Sequence, residues 1–161
     1  MSNPAPSEKH AVDFVYDEAR LLDEKRFDDW YELFDENGLY WMPLTRDQPD
    51  GLNHNSLFYE DRLLLKVRIE RLKSPRVFAQ GNPSYCHHVM QQPRVEPQAA
   101  DNATVVRTPF IYVETQRDNQ FMLAATAYHH LILVGDQIKI RMKKVELLNP
   151  DAGFGSIQMF L

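Results

Sequence analysis

The sequence predicts an α+β fold: one strongly bent, mostly antiparallel sheet with N-terminal helices packed across it. Three observations carry this. Apolar residues recur at helical spacing through the first third of the chain. The second half is a run of strand-like segments that are either alternating or apolar on both faces. Helices followed by adjacent strands is the α+β order. Two in-strand prolines, Pro93 and Pro109, and one break in alternation call for a bent sheet.

At 161 residues, with 43% hydrophobic and 25% charged residues, the chain reads as a single domain over 1–161. A net charge of −5 argues against a nucleic-acid or anionic-membrane partner. The single cysteine, Cys86, excludes an internal disulfide and a cysteine-rich metal site. There is no apolar leader and no membrane-length apolar run, so the expectation is a cytoplasmic protein.

Residues 1–6 form an arm with two prolines. Ser7 is the N-cap of a helix over about 7–24, with Val12, Val15, Ala19 and Leu22 at helical spacing. A short helix over about 26–35 puts Phe27, Trp30 and Phe34 on one face, as the anchor of a core. Asn37-Gly38 ends it through positive φ, and a strand follows over about 38–43. Thr45–Ser56 is a loop turned at Pro49-Asp50-Gly51. A third helix over about 59–73 carries Leu63, Leu64, Leu65, Ile69 and Leu72, an arc broad enough to be covered on more than one side. Its Arg62, Lys66, Arg68 and Arg71 make either a solvated face or a basic rim for an acidic partner. Pro75–Ser84 is a second loop.

Tyr85–Val95 is a strand interrupted by Pro93, Pro97–Asn102 a turn, and Ala103–Thr115 a strand with Pro109 at a bulge or edge. A hairpin at Asp118-Asn119 leads to Phe121–Val134, apolar on both faces and therefore central. Gly135-Asp136 turns into Gln137–Leu148. There Ile138, Ile140 and Met142 alternate with Lys139, Arg141 and Lys143 before the apolar parity passes to Val145 and Leu147. A period of two cannot change face without an extra residue, so a bulge is predicted near Lys143-Lys144. Gly153 and Gly155 end that strand, and the apolar tail 156–161 is expected to dock, in this chain or on a neighbouring subunit.

Chemistry-bearing residues are few. His87-His88 and His129-His130 are adjacent pairs, and strand neighbours face opposite ways, so at most one of each pair could reach a common site. Neither pair has metal-ligand spacing. A bent-sheet pocket could set His88, or a histidine of the other pair, beside Tyr112, Tyr128 or an aspartate as an acid–base dyad. Cys86 reads as a small buried hydrophobe. The expectation is no catalytic, cofactor-binding or metal residue on this chain, which favours a structural or binding subunit.

Three segments resemble the β (small) subunit of aromatic-ring-hydroxylating dioxygenases, the Rieske non-haem iron oxygenases. Glu18-Ala19 through Pro43 resembles E-A-x-L-L-D…F-x-x-W-x-x-L-F…Y-W-x-P. Tyr59, Asp61, Arg62, Leu65, Arg68, Arg71 and Leu72 fit Y-x-D-R-x-x-L-x-x-R-x-x-R-L. Pro83-Ser84, His88 and Arg94-Val95 fit P-S-x-x-x-H…R-V. The chain departs from the family at Tyr85, Cys86, His87, Gln92 and Pro93. The resemblance implies a cone-like fold of the nuclear-transport-factor-2, cystatin and scytalone-dehydratase kind. It implies a partner α (large) subunit carrying a Rieske [2Fe–2S] cluster and a mononuclear iron, contacts with other β subunits, an α3β3 hexamer, and a place in aromatic-compound catabolism. The alternative is a free-standing cone-fold dehydratase, isomerase or small-ligand binder with a His-centred acid–base pocket.

Overall fold

The computed structural model describes residues 5–74, 84–97, 102–150, 157 and 159–161. Residues 75–83 of the expected 75–84 loop, most of the 97–102 turn, Gly153, Gly155 and parts of both termini lie outside them, while Ser84 opens a strand.

The first helix, α1, spans Glu8–Asp23; the Ser7 side chain caps it, accepting from the His10 amide at 3.3 Å. It buries Ala11, Val15, Glu18, Ala19 and Leu22. That face holds a carboxylate that apolar periodicity does not show. Helix α2 is shorter than predicted, Phe27–Glu32. Phe34 opens strand β1, Phe34–Pro43, instead of closing the helix, although its ring still meets Trp30 edge-on at 4.9 Å. Asn37 and Gly38 do not adopt positive φ and do not turn the chain. Gly38 is needed for another reason: a Cβ there would lie 3.0 Å from the Ile140 carbonyl and 2.9 Å from that of Asp35. This is where β1 slips by several residues against its neighbour.

Strand β2, Ser56–Glu60, occupies what had read as loop and helix start. It pairs antiparallel with β1, and Trp41 Nε1 donates to Ser56 Oγ at 2.9 Å. Helix α3 therefore begins only at Arg62, capped by Asp61, and ends at Leu72. Among the described residues it is covered on one side: Leu65 and Ile69 are buried, whereas Leu63, Leu64 and Val67 are exposed. Its basic residues are largely used internally. Arg68 pairs with Glu60 and lies over Phe58 and Phe160. Arg62 donates to the Phe34 carbonyl, and Lys66 faces Asp28 and Glu70.

Strands β3 (Ser84–Met90), β4 (Arg94–Val95), β5 (Thr104–Gln116), β6 (Asn119–Val134) and β7 (Gln137–Leu147) complete one sheet. Its order is β2-β1-β7-β6-β5-β3, with β4 also on β5; among the described strands the β1–β7 pair is parallel and the others are antiparallel. The sheet is curved and unclosed. Strand β6 is central, flanked by β5 and β7. The β5–β6 hairpin turns at Arg117-Asp118, with Arg117 at positive φ. Pro109 sits inside β5 opposite Thr126. Its carbonyl accepts from the Gln91 amide, so its donor-less nitrogen faces the end of β3, where the ladder stops.

The predicted bulge exists but lies earlier. His130 pairs with Met142 and Leu131 with Ile140, leaving Arg141 as the extra residue. The inward positions of β7 are therefore Ile140, Lys143, Val145 and Leu147. Lys143, expected to face outward, is turned into the core.

The core lies between the concave face and the helices. Trp30, Phe34, Tyr40, Leu22, Leu65, Ile69 and Leu131 are fully buried. Met159, Phe160 and Leu161 join them: Phe160 lies 4.4 Å from Trp30 between ring centroids, and the Leu161 amide donates to Tyr40 Oη at 3.1 Å. Burying Phe160 and Leu161 stabilises the fold by about 1.5–3 kcal/mol each.

Candidate functional site

Two groups of buried polar residues lie under α1, spaced along it. Both carboxylates come from the E-A-x-L-L-D segment. Glu18 and Asp23 are five residues apart, about 7.5 Å along a helix axis.

The first group is fully buried. Glu18 Oε1 accepts from Lys143 Nζ at 2.6 Å and from Trp30 Nε1 at 2.8 Å, and Oε2 lies 3.3 Å from His129 Nε2. Burial alone would raise the Glu18 carboxyl, but the Lys143 ammonium and the hydrogen bond from His129 outweigh it and hold the group well below the usual carboxylate range. Burial dominates at His129 and lowers its pKa despite Glu18, so the ring is neutral near pH 7. The charge that keeps Glu18 ionised is therefore that of Lys143. With His129 neutral, its Nε2 carries the proton given to Glu18, and Nδ1 has no partner among the described residues.

The second group joins α1 to β3. Asp23 accepts from the His88 backbone amide at 3.1 and 3.2 Å, and Asp23 Oδ1 lies 2.7 Å from His88 Nδ1. The His88 side chain is 3% exposed, stacks on Phe110 and meets Tyr112 edge-on. Its Nε2 has no partner among the described residues. Tyr112 Oη donates to Glu114 Oε1 at 2.7 Å, and burial raises the pKa of both. Cys86 lies beside Asp23, and burial, reinforced by Asp23, pushes its thiol up to about 12. It is a protonated, unreactive thiol at neutral pH.

Strand alternation puts one histidine of each pair inside. His88 and His129 face the core; the His87 side chain is 82% exposed and His130 points to the other face. Tyr112 stands beside His88, whereas Tyr128 is on the outer side near Lys144. Glu18 and Lys143 are interior groups that apolar periodicity does not reveal. The break in β7 alternation was the one available signal for Lys143, and it placed the bulge two residues late.

Asp23, Cys86 and His88 offer ligand atoms within 4.8 Å of one another. The 2.7 Å Asp23–His88 distance is that of a hydrogen bond, and the thiol is protonated, so the geometry is a dyad. A Rieske cluster needs two cysteines and two histidines; with Cys86 as its one cysteine, this chain does not fit it. The single imidazole of this group does not supply a two-histidine, one-carboxylate iron site either.

A curved open sheet with helices over its concave face is the architecture of the cone-like α+β proteins. An NTF2-like protein with a cystatin-like fold from Novosphingobium aromaticivorans superposes with a TM-score of 0.62 at 12% identity, over 89% of this chain and 83% of that one. The β subunit of the benzoate 1,2-dioxygenase from Burkholderia mallei superposes with a TM-score of 0.77 at 24% identity, over 98% and 99% of the two chains. In sequence, residues 17–151 match the ring hydroxylating beta subunit family, to which this chain belongs. Benzoate 1,2-dioxygenase subunit beta of Acinetobacter baylyi is 30% identical over 84% of this chain and 83% of its own length. The 2-halobenzoate 1,2-dioxygenase small subunit of Burkholderia cepacia is 41% identical, over 40% of this chain and 42% of that protein.

Proposed function

We propose that this chain is the small subunit of the terminal oxygenase of an aromatic-ring-hydroxylating dioxygenase, with an assembly role in aromatic-compound breakdown. The family match over 17–151 is the observation that carries the reading. In this reading a large α subunit holds the Rieske cluster and the mononuclear iron and performs the chemistry. The two assemble as an α3β3 hexamer in the cytoplasm, and no residue of this chain is catalytic or binds metal.

The surface supports an assembly role. On the outer face, Val89 pairs with Ile111 and Val113 with Met122, and Val89, Ile111 and Met122 are exposed. Beside them a depression of about 560 Å³ is lined by Val89, Gln91, Arg107, Pro109, Ile111 and Leu148. The outer side of α3, with Leu63, Leu64 and Val67, is a second uncovered apolar surface. Such patches mark protein contacts. We assign them to the large subunit and to other copies of this chain.

Metal analysis of the co-purified oxygenase, followed by separation of its subunits, tests the division of labour. All iron and acid-labile sulfide should remain with the large subunit. One iron per small chain would overturn the reading.

The carboxylate–imidazole dyads are also what a free-standing cone-fold acid–base enzyme would need. The Asp23–His88 geometry is the observation that favours this second reading, and dehydratase activity of the isolated chain would support it.

A further inference from the structure

Three side-chain atoms buried on the concave face have no hydrogen-bond partner among the described residues: His88 Nε2, Thr108 Oγ1 and His129 Nδ1. They come from three neighbouring strands, β3, β5 and β6. Thr108 pairs with Ala127, two residues from His129. Phe110, two residues from Thr108, stacks on the His88 ring at 5.6 Å. Thr108 therefore stands between the two imidazoles on one face. The dyads above them hang from adjacent turns of α1, and His88 is near enough to His129 to act on its charge.

The chemistry of an occupant follows from the tautomers. Asp23 takes the proton on His88 Nδ1, so Nε2 of the neutral ring presents a lone pair. Glu18 takes the proton on His129 Nε2, so Nδ1 presents a lone pair. In the neutral rings both open nitrogens are acceptors, and the Thr108 hydroxyl between them donates or accepts. The matching guest is small and neutral, with two donors and an acceptor. Native interiors leave few polar groups unpaired, and ordered water with two to four protein partners is the usual remedy.

We propose that the space between α1 and the concave face is a water-binding site, in which ordered water donates to His88 Nε2 and His129 Nδ1 and bonds Thr108 Oγ1. The water continues each carboxylate–imidazole pair into one polar row from Asp23 to Glu18. The carboxylates set opposite tautomers on the two rings, and the water satisfies the nitrogen each leaves open. Two carboxylate-backed imidazoles are also half of a metal site. Among the described residues, however, neither open nitrogen has a partner, and a threonine hydroxyl is a poor third ligand.

The test is a crystal structure of the full chain, or of its oxygenase complex, at about 1.5 Å, with the Thr108→Val variant beside it. The expected result is density for water within about 3.2 Å of Thr108 Oγ1 and at least one open ring nitrogen, lost or displaced in T108V. Nitrogen-15 histidine NMR of the wild type stands independently of how that variant folds; it should show the Nδ1–H tautomer for His88 and the Nε2–H tautomer for His129. A dry gap, rings turned so that the open nitrogens meet protein groups, the reverse tautomers, or anomalous signal from a metal between the rings would each overturn the proposal.

Discussion

Replacing Lys143 with methionine tests how the interior is held together. The ammonium lies 2.6 Å from Glu18 Oε1 with both side chains 2% exposed, so the pair is fully desolvated. At an effective dielectric of about 20, the attraction across that distance is about 6 kcal/mol. Not all of it is lost in K143M. Glu18 keeps the Trp30 indole and His129 as donors, and it can take up a proton once its counter-charge is gone. Breaking a buried pair from one side costs about 3–5 kcal/mol. For a domain of this size each kcal/mol moves the melting temperature by about 2–4 °C, so a fall of roughly 6–20 °C is expected. Glu18→Gln should cost a similar amount, because it strands the lysine. The double variant E18Q/K143M has no charge to strand and keeps an acceptor for Trp30. It should be more stable than either single variant, which requires a coupling larger than either single cost, above about 3 kcal/mol in urea titrations. K143M within about 1 kcal/mol of wild type, together with no coupling, would show that Lys143 reaches water and that the buried network is wrong.

Phe160→Ala should destabilise by about 3–5 kcal/mol in the isolated chain, read by urea denaturation, because the ring fills space against Trp30, Tyr40 and Phe27; an unchanged midpoint would mean the tail does not dock in its own chain. His88→Ala should cost stability by about 1–3 kcal/mol, since Asp23 loses a ring partner, while turnover per assembled oxygenase stays near wild type; lost turnover with intact assembly would make the dyad catalytic. Acid should destabilise the chain. Glu18 and His129 both have lowered pKa values in the fold, so the unfolded chain binds more protons and stability falls with pH. The His129 contribution is lost from about pH 6.5 downward and the Glu18 contribution from about pH 4.5 downward, with raised Glu114 opposing weakly in the lower range. Urea midpoints that rise between pH 7 and 5 would contradict this.

Much of the fold was legible because its elements obey simple periods. The α1 stripe, the Trp30 anchor, the doubly apolar β6 and the Gly135 turn were all readable. What failed were the places where tertiary structure overrides a local signal. Asn37-Gly38 looks like a helix stop, but the chain is already extended there, and glycine serves close approach to the Ile140 carbonyl. Strand β2 was hidden behind a loop rich in turn residues, because Ser56–Glu60 is too short to show a period of its own. On α3 the breadth of the apolar arc was real, but its outer part is bare in this chain, which fits a protein made to be covered by others. The interior site was half legible. Alternation gave one inward histidine from each pair. It could not give Lys143, because Met142 extends the apolar rhythm past the true bulge at Arg141. Nor could it give Glu18, a carboxylate on the buried stripe of a helix, whose presence is explicable only once Lys143, His129 and Trp30 are seen around it.

Native mass spectrometry of this chain co-expressed with a Rieske-type large subunit from the same source tests the central claim most directly. The account predicts one complex with equal numbers of the two chains, at the mass of an α3β3 hexamer. It also predicts that the large subunit expressed alone fails to reach that assembly. A large subunit that forms a complete, active oxygenase while this chain stays apart from it would contradict the account.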